Sequence, residues 1–391
     1  MLENEAEIYK SEGETVKYDA IKDYIQQISN FGELSNVLKA ARSIKGFVAS
    51  PFEFDCDDHL INVQNGIVNL TTAELLSHDP SYKMMQIADV EYNKEAKSQL
   101  WSTFLDDITN RDKALQEYIK RAMGYAATGY TKEQVLFIFI GNGANGKTTV
   151  QNVHKVIFGD YAKVTPTKTL LAAVNKGINA DEARLAGSRY VIATEVNINQ
   201  RLDEAKVKAL TGGDTITARH LRENYFQYTP KLTLFMGVNH LPIVSGDDAI
   251  FRRIRVIPFN AKFEGEKLNR DLEVELLKDR EAIFAWVVEG AVKWHLEGLG
   301  TCDAVDRAIL SYRNESNIIN EFFNETIVEK EGERIPKGVL YDMYKIWADK
   351  NVDYTMSKNG FGSFMKRRGV EEGKSGSTRL WKGITLKIWV G

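Results

Sequence analysis

Cysteine and proline are scarce in this sequence, and each scarcity excludes a class of protein. Two cysteines, Cys56 and Cys302, in 391 residues are too few for a disulfide framework or a zinc cluster, which favours a reducing compartment. Only 7 prolines, together with apolar residues along the whole length, exclude collagen-like and wholly disordered chains. The composition is that of an ordinary globular protein.

Long apolar runs are also lacking. The most apolar uninterrupted run, Val135 to Ile140, is far shorter than the roughly 20 residues that a membrane helix needs. The acidic start, MLENEAEIYK, is not that of a signal peptide. We therefore predict a protein of the bacterial or host-cell cytoplasm, with no membrane partner.

The sequence has no excess of basic residues. Its 51 Lys and Arg against 54 Asp and Glu give a formal net charge of -3, so only a local basic segment could indicate a nucleic-acid partner. A chain of 391 residues has room for two or three domains, since compact domains run to roughly 100 to 200 residues.

Helical periodicity dominates the first third of the chain. Apolar residues recur at helical spacing over residues 1–50, with Gly32 between two such patterns, and again from Ala96 to Tyr130. Between these stretches, Asn65-Gly66 separates two apolar runs and predicts a short β-hairpin. We therefore predict a mainly helical, collar-like N-terminal domain with a small β element over residues 1–122.

The pattern changes after Val135. Four short, continuously apolar runs, VLFIFI, RYVIAT, LTLFMGV and IRVIPF, lie between Val135 and Phe259. Such runs are buried on both faces, as in the parallel sheet of an α/β fold. A helical pattern then ends at Gly298. The sequence thus predicts an α/β domain over residues 123–300 and a further domain over residues 301–391.

The most specific motif follows the first of these runs. Residues 141–148, GNGANGKT, match the G-x-x-x-x-G-K-[ST] pattern of a phosphate-binding loop, and TVQNVHKVIF after it predicts a helix whose N-terminal amides could cradle phosphates. Lys147 would neutralise the β- and γ-phosphates, and the Thr148 hydroxyl would complete the coordination of Mg²⁺. The predicted nucleotide-binding residues are Gly141, Asn142, Gly143, Ala144, Asn145, Gly146, Lys147, Thr148 and Thr149.

A carboxylate follows the second apolar run. Glu195 comes directly after RYVIAT, where it could hold Mg²⁺ through water or activate the attacking water. Only one acid stands there, so the metal and base roles stay undivided, and Asp181, Glu182 or Asp214 could assist. The alternative is an ordinary surface glutamate at the end of a strand.

Two further motifs complete a candidate site for hydrolysis. Asn239 follows LTLFMGV, and its amide could orient water or contact the γ-phosphate; the alternative is a turn residue before a proline. Arg252 and Arg253 precede IRVIPF and suit an arginine finger, which stabilises transition-state charge at a neighbouring subunit's site. Salt bridges inside one subunit are the alternative for this pair.

These segments together resemble a known family. The ordered set GNGANGKTT, ATE, KALTGGDTITARHLREN, LFMGVNHLP and DDAIFRRIRVIPF resembles the superfamily 3 helicases, and more narrowly the helicase portion of phage, plasmid and poxvirus primase-helicases. FDCDDHLINVQNGIVNL resembles the region that precedes the motor in that family. The resemblance implies an AAA+-like ATPase core, ATP and Mg²⁺, a homo-oligomeric ring that is expected to be a hexamer, and 3′ to 5′ movement on single-stranded DNA.

The same resemblance leaves one alternative about the extent of the chain. No primase or polymerase segment precedes the motor motifs, so the sequence is expected to be either a stand-alone helicase or a fragment of a longer chain. In the first case a separate primase or initiator is an expected partner.

Two regions are candidates for contacts to DNA. The segment ITARHLRENYFQYTP predicts a hairpin around Glu223-Asn224, and in the family such an insertion projects into the central channel, where cations grip phosphates. The alternative is a structural hairpin with solvated charges. The candidate residues are Arg219, His220 and Arg222, with Lys208 added by its position in the motif.

The second region is the basic C-terminus. Its pattern predicts two helices and a β-hairpin with Lys382-Gly383 near the turn, the order of a winged helix. From Lys358 to Lys387, eight Lys and Arg stand against two Glu, a local charge of 8 - 2 = +6, which suits DNA, although winged helices also bind proteins. The candidate DNA-binding residues are Lys366, Arg367, Arg368, Arg379 and Lys382.

The sequence therefore predicts an ATP-dependent replicative DNA helicase of a phage or mobile genetic element, acting as a ring on single-stranded and forked DNA. The alternative is an initiator ATPase that switches its DNA affinity with nucleotide and never unwinds. A P-loop phosphotransferase fits less well, because a kinase has no need of the hairpin or the basic C-terminus.

Overall fold

The computed structural model of the protein describes most of the chain. The described residues are 2–28, 30–44, 48–50, 53–172, 180–194, 201–220, 223–244, 248–264, 269–351 and 355–387. Contacts between residues that lie close in space divide the chain into two compact units, residues 1–56 and residues 57–391. Among the described residues, no helix has both the length and the apolar character needed to cross a membrane.

The described residues of the first unit form three α-helices between Leu2 and Ala41, which confirms the predicted helical character over that range. They are α1 (Leu2–Ser11), α2 (Thr15–Ile28) and α3 (Phe31–Ala41). The break before α3 is set by Asn30, whose side chain caps the helix by accepting a hydrogen bond from the Gly32 amide at 3.0 Å. Gly32 therefore lies inside the first turn of α3, and its predicted place between two helices was wrong.

The second unit begins with a small antiparallel sheet. Its strands are β1 (Leu60–Val63), β2 (Gly66–Asn69) and β3 (Glu74–Leu76). Val63 pairs with Gly66, so Gln64 and Asn65 form a two-residue loop, and the hairpin predicted at Asn65-Gly66 is confirmed. The predicted helical region that follows forms α4 (Gln99–Ile108) and α5 (Lys113–Ala127).

A five-stranded parallel sheet forms the centre of the second unit, and the α/β prediction is confirmed. In chain order the strands of this region are β4 (Leu136–Ile140), β5 (Ala162–Pro166), β6 (Tyr190–Thr194), the hairpin strands β7 (Ile216–Arg219) and β8 (Tyr225–Tyr228), β9 (Thr233–Val238) and β10 (Ile254–Pro258). The sheet has the order β10-β4-β9-β6-β5, and every neighbouring pair is parallel. All five carboxyl ends therefore meet at one edge.

Strands β4, β6, β9 and β10 are largely apolar because helices cover both faces of the sheet. Side chains alternate across a strand, so Phe137 and Phe139 of β4 join one apolar cluster while Leu136 and Ile138 join the other. The helices of this region are α6 (Lys147–Phe158), α7 (Ala180–Ala183), α8 (Glu204–Gly212), α9 (Asp248–Phe251), α10 (Leu272–Lys278) and α11 (Arg280–Glu297). Burial of both faces explains why continuous apolar runs predicted these strands.

Helices α5 and α11 lie unusually close together because glycines stand at their contact. A Cβ on Gly124 would be 2.0 Å from the Ala291 nitrogen, and a Cβ on Gly290 would be 2.1 Å from the Lys120 carbonyl oxygen. Any side chain at either position would push the two backbones apart. Helix α11 ends at Gly298, which has φ 70°, as its sequence pattern predicted.

The C-terminal part places a three-stranded antiparallel sheet beside three helices. Its elements are α12 (Asp303–Thr326), β11 (Ile327–Pro336), α13 (Lys337–Asn351), α14 (Lys358–Arg367), β12 (Glu371–Ser375) and β13 (Thr378–Leu386), and the sheet order is β11-β13-β12. Helix α12 belongs to two cores: Tyr312 packs in a cluster with the parallel sheet, and Phe322 packs in the C-terminal cluster.

The C-terminal hairpin turns at a different place from the predicted one. The turn lies at Gly376 and Ser377, since Ser375 pairs with Thr378. Lys382 lies within β13, where it pairs with Arg334 of β11 and Glu371 of β12. The prediction of a turn near Lys382-Gly383 was therefore wrong. Gly383 has φ 72° at the point where the β11–β13 register shifts, so this glycine serves an irregularity within the strand.

A buried histidine gives the core of the second unit a pH dependence that can be measured. His154 of α6 is fully buried among aromatic rings, including Trp101 and Trp286, and its Nδ1 lies 2.8 Å from the Val150 carbonyl. Burial lowers its pKa from 6.5 to about 4, because a charged imidazolium is poorly solvated there. The neutral ring is therefore the form that the fold accepts.

We expect this histidine to destabilise the core as the pH falls. The unfolded chain takes up a proton near pH 6.5 while the folded chain resists until about pH 4, so the stability present above pH 6.5 is lost on acidification by about 2 to 3 kcal/mol. His154→Phe should lack this contribution. Urea unfolding of both proteins between pH 7.5 and 4.5 measures the change, and a stability difference that stays constant with pH would contradict it.

Candidate active site

The predicted phosphate-binding loop, residues 141–148, has the strand–loop–helix context that its sequence indicated. Strand β4 ends at Ile140, and α6 begins at Lys147. Three loop residues adopt left-handed backbone conformations: Gly143 (φ 58°), Ala144 (φ 44°) and Gly146 (φ 86°). Successive amides in such conformations form concave anion-binding nests, and a left-handed non-glycine residue such as Ala144 is a strained feature typical of functional sites.

The loop is packed closely against neighbouring segments. A Cβ on Gly146 would lie 2.6 Å from Ile108 Cγ2, so the start of α6 is in contact with α4. On another side, the Phe263 amide donates to the Ala144 carbonyl at 2.8 Å. The loop is therefore held from outside as well as by its own turns.

The Lys147 side chain lies at the centre of the loop. It is 6% exposed, and its ammonium donates to the Gly141 carbonyl at 2.5 Å, to Asn145 Oδ1 at 3.1 Å and to Asn239 Oδ1 at 3.3 Å. Burial lowers the pKa of the Lys147 ammonium. The structure thus brings two predicted residues, Lys147 and Asn239, into direct contact although they are far apart in the sequence.

The sheet order explains this contact. Strand β9 lies between β4 and β6, and Val238 pairs with Ile140, so Asn239 emerges beside the start of the phosphate-binding loop. Thr148 is exposed in the first turn of α6, and Thr149 is partly exposed next to it. Strand β6 ends at Thr194 on the same edge, and Glu195, which follows it, lies outside the described residues.

Three other acids were considered as possible helpers in hydrolysis. Two of them are paired with lysines, and the third is exposed. Asp181 lies 3.9 Å from the Lys168 ammonium, and Glu182 lies 2.7 Å from that of Lys206. Asp214 is exposed in the segment before the hairpin. In the part of the chain that the structure describes, no group of three or more His, Cys, Asp or Glu side chains is arranged to hold a metal ion.

The two arginines at the start of β10 have different surroundings. Arg253 is partly buried, and its guanidinium donates to the Ala249 carbonyl at 3.0 Å and to Gln134 Oε1 at 3.2 Å. Arg252 is exposed, and among the described residues its side chain has no hydrogen-bond or ion-pair partner. The sequence could not separate these neighbours, whereas the structure binds the Arg253 side chain within its own subunit and leaves Arg252 exposed.

The predicted hairpin is confirmed as the pair β7–β8. Arg219 and Tyr225 are paired across its outer end, both are exposed, and the guanidinium lies 5.0 Å from the tyrosine ring centroid. His220 stacks on Phe226 at 5.2 Å. Lys208 lies partly exposed on α8, and Arg222 lies outside the described residues.

The predicted C-terminal cations fall into two groups. Two of them are engaged by the protein itself: Lys366 is 3.1 Å from Glu372, and the Arg368 guanidinium lies 3.8 Å over the Phe323 ring, where burial lowers its pKa. Arg379 and Lys382 are exposed on β13. The side chain of Arg367 lies outside the described residues.

One residue of this region, Arg189, was missed from the sequence, and Asn145 was predicted only as a nucleotide-binding residue of the loop, without the contacts of its side chain. Asn145 is 3% exposed, and its carboxamide joins Lys147 to Phe259. Arg189, at the start of the apolar run RYVIAT, is 2% exposed and donates to main-chain carbonyls. A charged residue that opens a continuously apolar strand was the available signal for Arg189; the pattern of the loop gave none for the Asn145 side chain.

Comparison with known families places matches along most of the chain. A family model described as "D5 N terminal like" matches residues 1–110, and one described as "Poxvirus D5 protein-like" matches residues 314–373. Between them, a model described as a "Family of unknown function" matches residues 139–253, which include the predicted phosphate-binding loop.

Individual relatives come from large DNA viruses. A protein of Acanthamoeba polyphaga mimivirus named "Putative helicase L207/L206" is 25% identical over 364 residues, covering 85% of this chain and 37% of its own length. An African swine fever virus protein named "Putative primase C962R" is 22% identical over 333 residues, covering 76% of this chain and 34% of its own length. The chain thus spans little more than a third of either relative. A solved structure of the NrS-1 C-terminal region has a TM-score of 0.46 at 14% identity, covering 76% of this chain and 78% of that one.

Proposed function

We propose that this chain, which belongs to the D5-like primase-helicases of superfamily 3, is the ATP-driven motor of a viral DNA replication helicase. The observation that carries the proposal is the buried Lys147 ammonium at the carboxyl edge of a parallel sheet, in contact with Asn239 of the neighbouring strand. That arrangement presents a cation and a polar amide to whatever binds the loop.

The loop fits a nucleotide phosphate chain. The left-handed residues between Gly141 and Gly146 and the amino end of α6 favour an anion, and the desolvated Lys147 gains from a phosphate partner. Thr148 is exposed next to this lysine and would hold Mg²⁺ together with phosphate oxygens and water, a coordination that needs few protein ligands. The Mg²⁺ would supply charge neutralisation on the phosphates.

The nucleobase of ATP is proposed to lie beside the loop. A cavity of about 210 Å³ adjoins Gly146 and Thr149, and Phe104 and Phe263 are among its apolar walls. Apolar walls next to a phosphate-binding loop suit the flat ring of a nucleobase. The site therefore offers separate surfaces for the two ends of ATP.

The hydrolytic step is proposed to need two copies of the chain. Glu195 would polarise the attacking water and Asn239 would orient it against the γ-phosphate. The exposed Arg252 would reach the site of the neighbouring copy and stabilise the charge of the transition state, which an arginine finger does by pairing two oxygens at once. A ring is the closed assembly in which every site is shared in this way, and the resemblance to superfamily 3 helicases implies six subunits.

The hairpin β7–β8 is proposed to grip the single strand inside the ring. Its outer end presents a cation and an aromatic ring together, Arg219 and Tyr225, which suit a phosphate and a base. The helix–strand–helix–helix–hairpin order of residues 303–386 supports the proposal of a winged helix, whose exposed Arg379 and Lys382 would contact duplex phosphates at a fork.

One set of measurements tests the proposal. We expect ATP hydrolysis that single-stranded DNA stimulates, oligomers in solution when nucleotide is present, and strand displacement on forked DNA with 3′ to 5′ polarity. ATP-dependent DNA binding without strand displacement would instead indicate an initiator ATPase. Absence of any ATP hydrolysis, with folded protein, would reject both.

Loss of the hairpin cation should weaken the grip on DNA. Arg219→Ala is expected to lower affinity for single-stranded DNA about tenfold at low salt and to reduce the slope of log K against log salt by about 0.7, because one phosphate contact is lost. Lys278→Ala, which removes an equal charge from an exposed position on α10, should change neither quantity. Equal effects of the two substitutions would show that only net charge matters.

A further inference from the structure

We infer that the Asn145 carboxamide is a positioning residue for Lys147, holding the ammonium ready for phosphate, while the Asn239 carboxamide occupies the phosphate's place until nucleotide arrives. The inference rests on the proposed function, since it concerns the same nucleotide site. It assigns different tasks to two asparagines that contact the same lysine.

Asn145 is anchored at both ends of its amide. Its Nδ2 donates to the Phe259 carbonyl at 3.2 Å, and its Oδ1 accepts from the Lys147 ammonium at 3.1 Å. The side chain is 3% exposed, so it cannot turn into solvent. The position requires a donor and an acceptor on one short side chain; aspartate lacks the donor, and alanine lacks both.

Gly141, the first glycine of the loop, leaves room for this bridge. Its backbone is outside the positive-φ region, so conformational freedom is not what the position requires. A Cβ there would lie 2.2 Å from Asn145 Nδ2 and 2.3 Å from the Phe259 carbonyl oxygen. The close approach of Phe259 to Asn145 therefore depends on the missing side chain, which ties the loop to the segment that leaves β10.

The number of hydrogen bonds that the Lys147 ammonium can donate indicates different roles for Asn145 and Asn239. A lysine ammonium has three N–H donors, and Gly141, Asn145 and Asn239 supply three acceptors. A phosphate oxygen can bind only if one acceptor leaves. Asn239 makes the longest contact, at 3.3 Å, and is exposed, whereas Asn145 is buried and held by Phe259. Phosphate would thus displace Asn239 and free its amide for the γ-phosphate or water.

A double-mutant cycle tests whether Asn145 acts through Lys147. The probe is a non-hydrolysable ATP analogue with Mg²⁺, titrated at equilibrium against the full chain. Asn145→Ala should weaken binding about tenfold when Lys147 is present and less than about twofold in the Lys147→Met background. Asn239→Ala should weaken binding less than Asn145→Ala does, because the contact with Lys147 that it removes is the one that phosphate displaces.

The structure also offers a control position for this experiment, and two results would contradict the inference. Asn152 of α6 donates to Glu273 Oε2 at 3.0 Å and does not line the cavity beside the loop, so Asn152→Ala should leave binding unchanged in both backgrounds. An Asn145→Ala loss that persists with Lys147→Met, or a larger loss for Asn239→Ala, would overturn the inference while the ATP site stands. Wild-type protein that binds no nucleotide would instead reject the proposed function.

Discussion

Arg252→Ala should lower ATP hydrolysis about 1,000-fold, the usual scale for loss of an arginine finger. Lys147→Ala should be similarly inactive, since it removes the cation from the phosphate loop. When the two proteins are mixed in equal amounts and allowed to exchange subunits, about a quarter of the interfaces would join an intact loop to an intact arginine. We therefore expect the mixture to recover a measurable fraction of wild-type activity that neither protein shows alone.

Arg253 provides the contrast for this experiment. Its guanidinium is bound to Ala249 and Gln134 of its own subunit, so Arg253→Ala should cost about 1 to 2 kcal/mol of stability through lost hydrogen bonds. It should not behave as a complementing partner of Lys147→Ala. Absence of rescue in the Arg252→Ala mixture, with oligomers intact by mass in solution, would remove Arg252 from the finger role.

The strands were predictable where burial on both faces leaves a continuous apolar run. Strand β5 was not predicted, because its sequence AKVTP has no continuous apolar run and its burial is uneven, with Val164 41% exposed. The order of the strands in the sheet could not be predicted from the sequence either, since it depends on pairing between distant segments. Only that order, with β9 next to β4, puts Asn239 against Lys147.

The candidate site was predictable where a motif has one geometry. The sequence motif of a phosphate-binding loop has a fixed relation between strand, glycines and helix, so the place of Lys147 at the start of α6 could be predicted from spacing alone. No comparable spacing rule distinguishes two neighbouring arginines. Arg252 and Arg253 differ in that Arg253 forms hydrogen bonds inside the fold. The Lys382-Gly383 turn failed for a related reason, because a glycine at a strand irregularity has the same local signature as one in a turn.

The buried Arg189 joins three parts of the second unit. Its guanidinium donates to the carbonyls of Leu60 at 2.7 Å, Ala127 at 2.9 Å and Asp57 at 3.2 Å, and it lies 4.7 Å from the Tyr161 ring centroid. Ala127 is the last residue of α5, so the cation also faces the negative end of a helix dipole. One side chain thus fastens β1, the end of α5 and the start of β6 together.

Arg189→Met should therefore destabilise the protein by about 4 kcal/mol or more, because buried carbonyls lose a charged donor that the thioether cannot replace. Arg189→Lys should recover only part of this loss, since an ammonium lacks the planar fork that reaches several carbonyls. Arg184→Met, at an exposed position close by, should stay within about 0.5 kcal/mol of wild type. Urea unfolding at neutral pH gives all three values. If Arg189→Met came within about 1 kcal/mol of wild type, water or neighbouring groups would have to satisfy those carbonyls, and Arg189 would not be what fastens these elements.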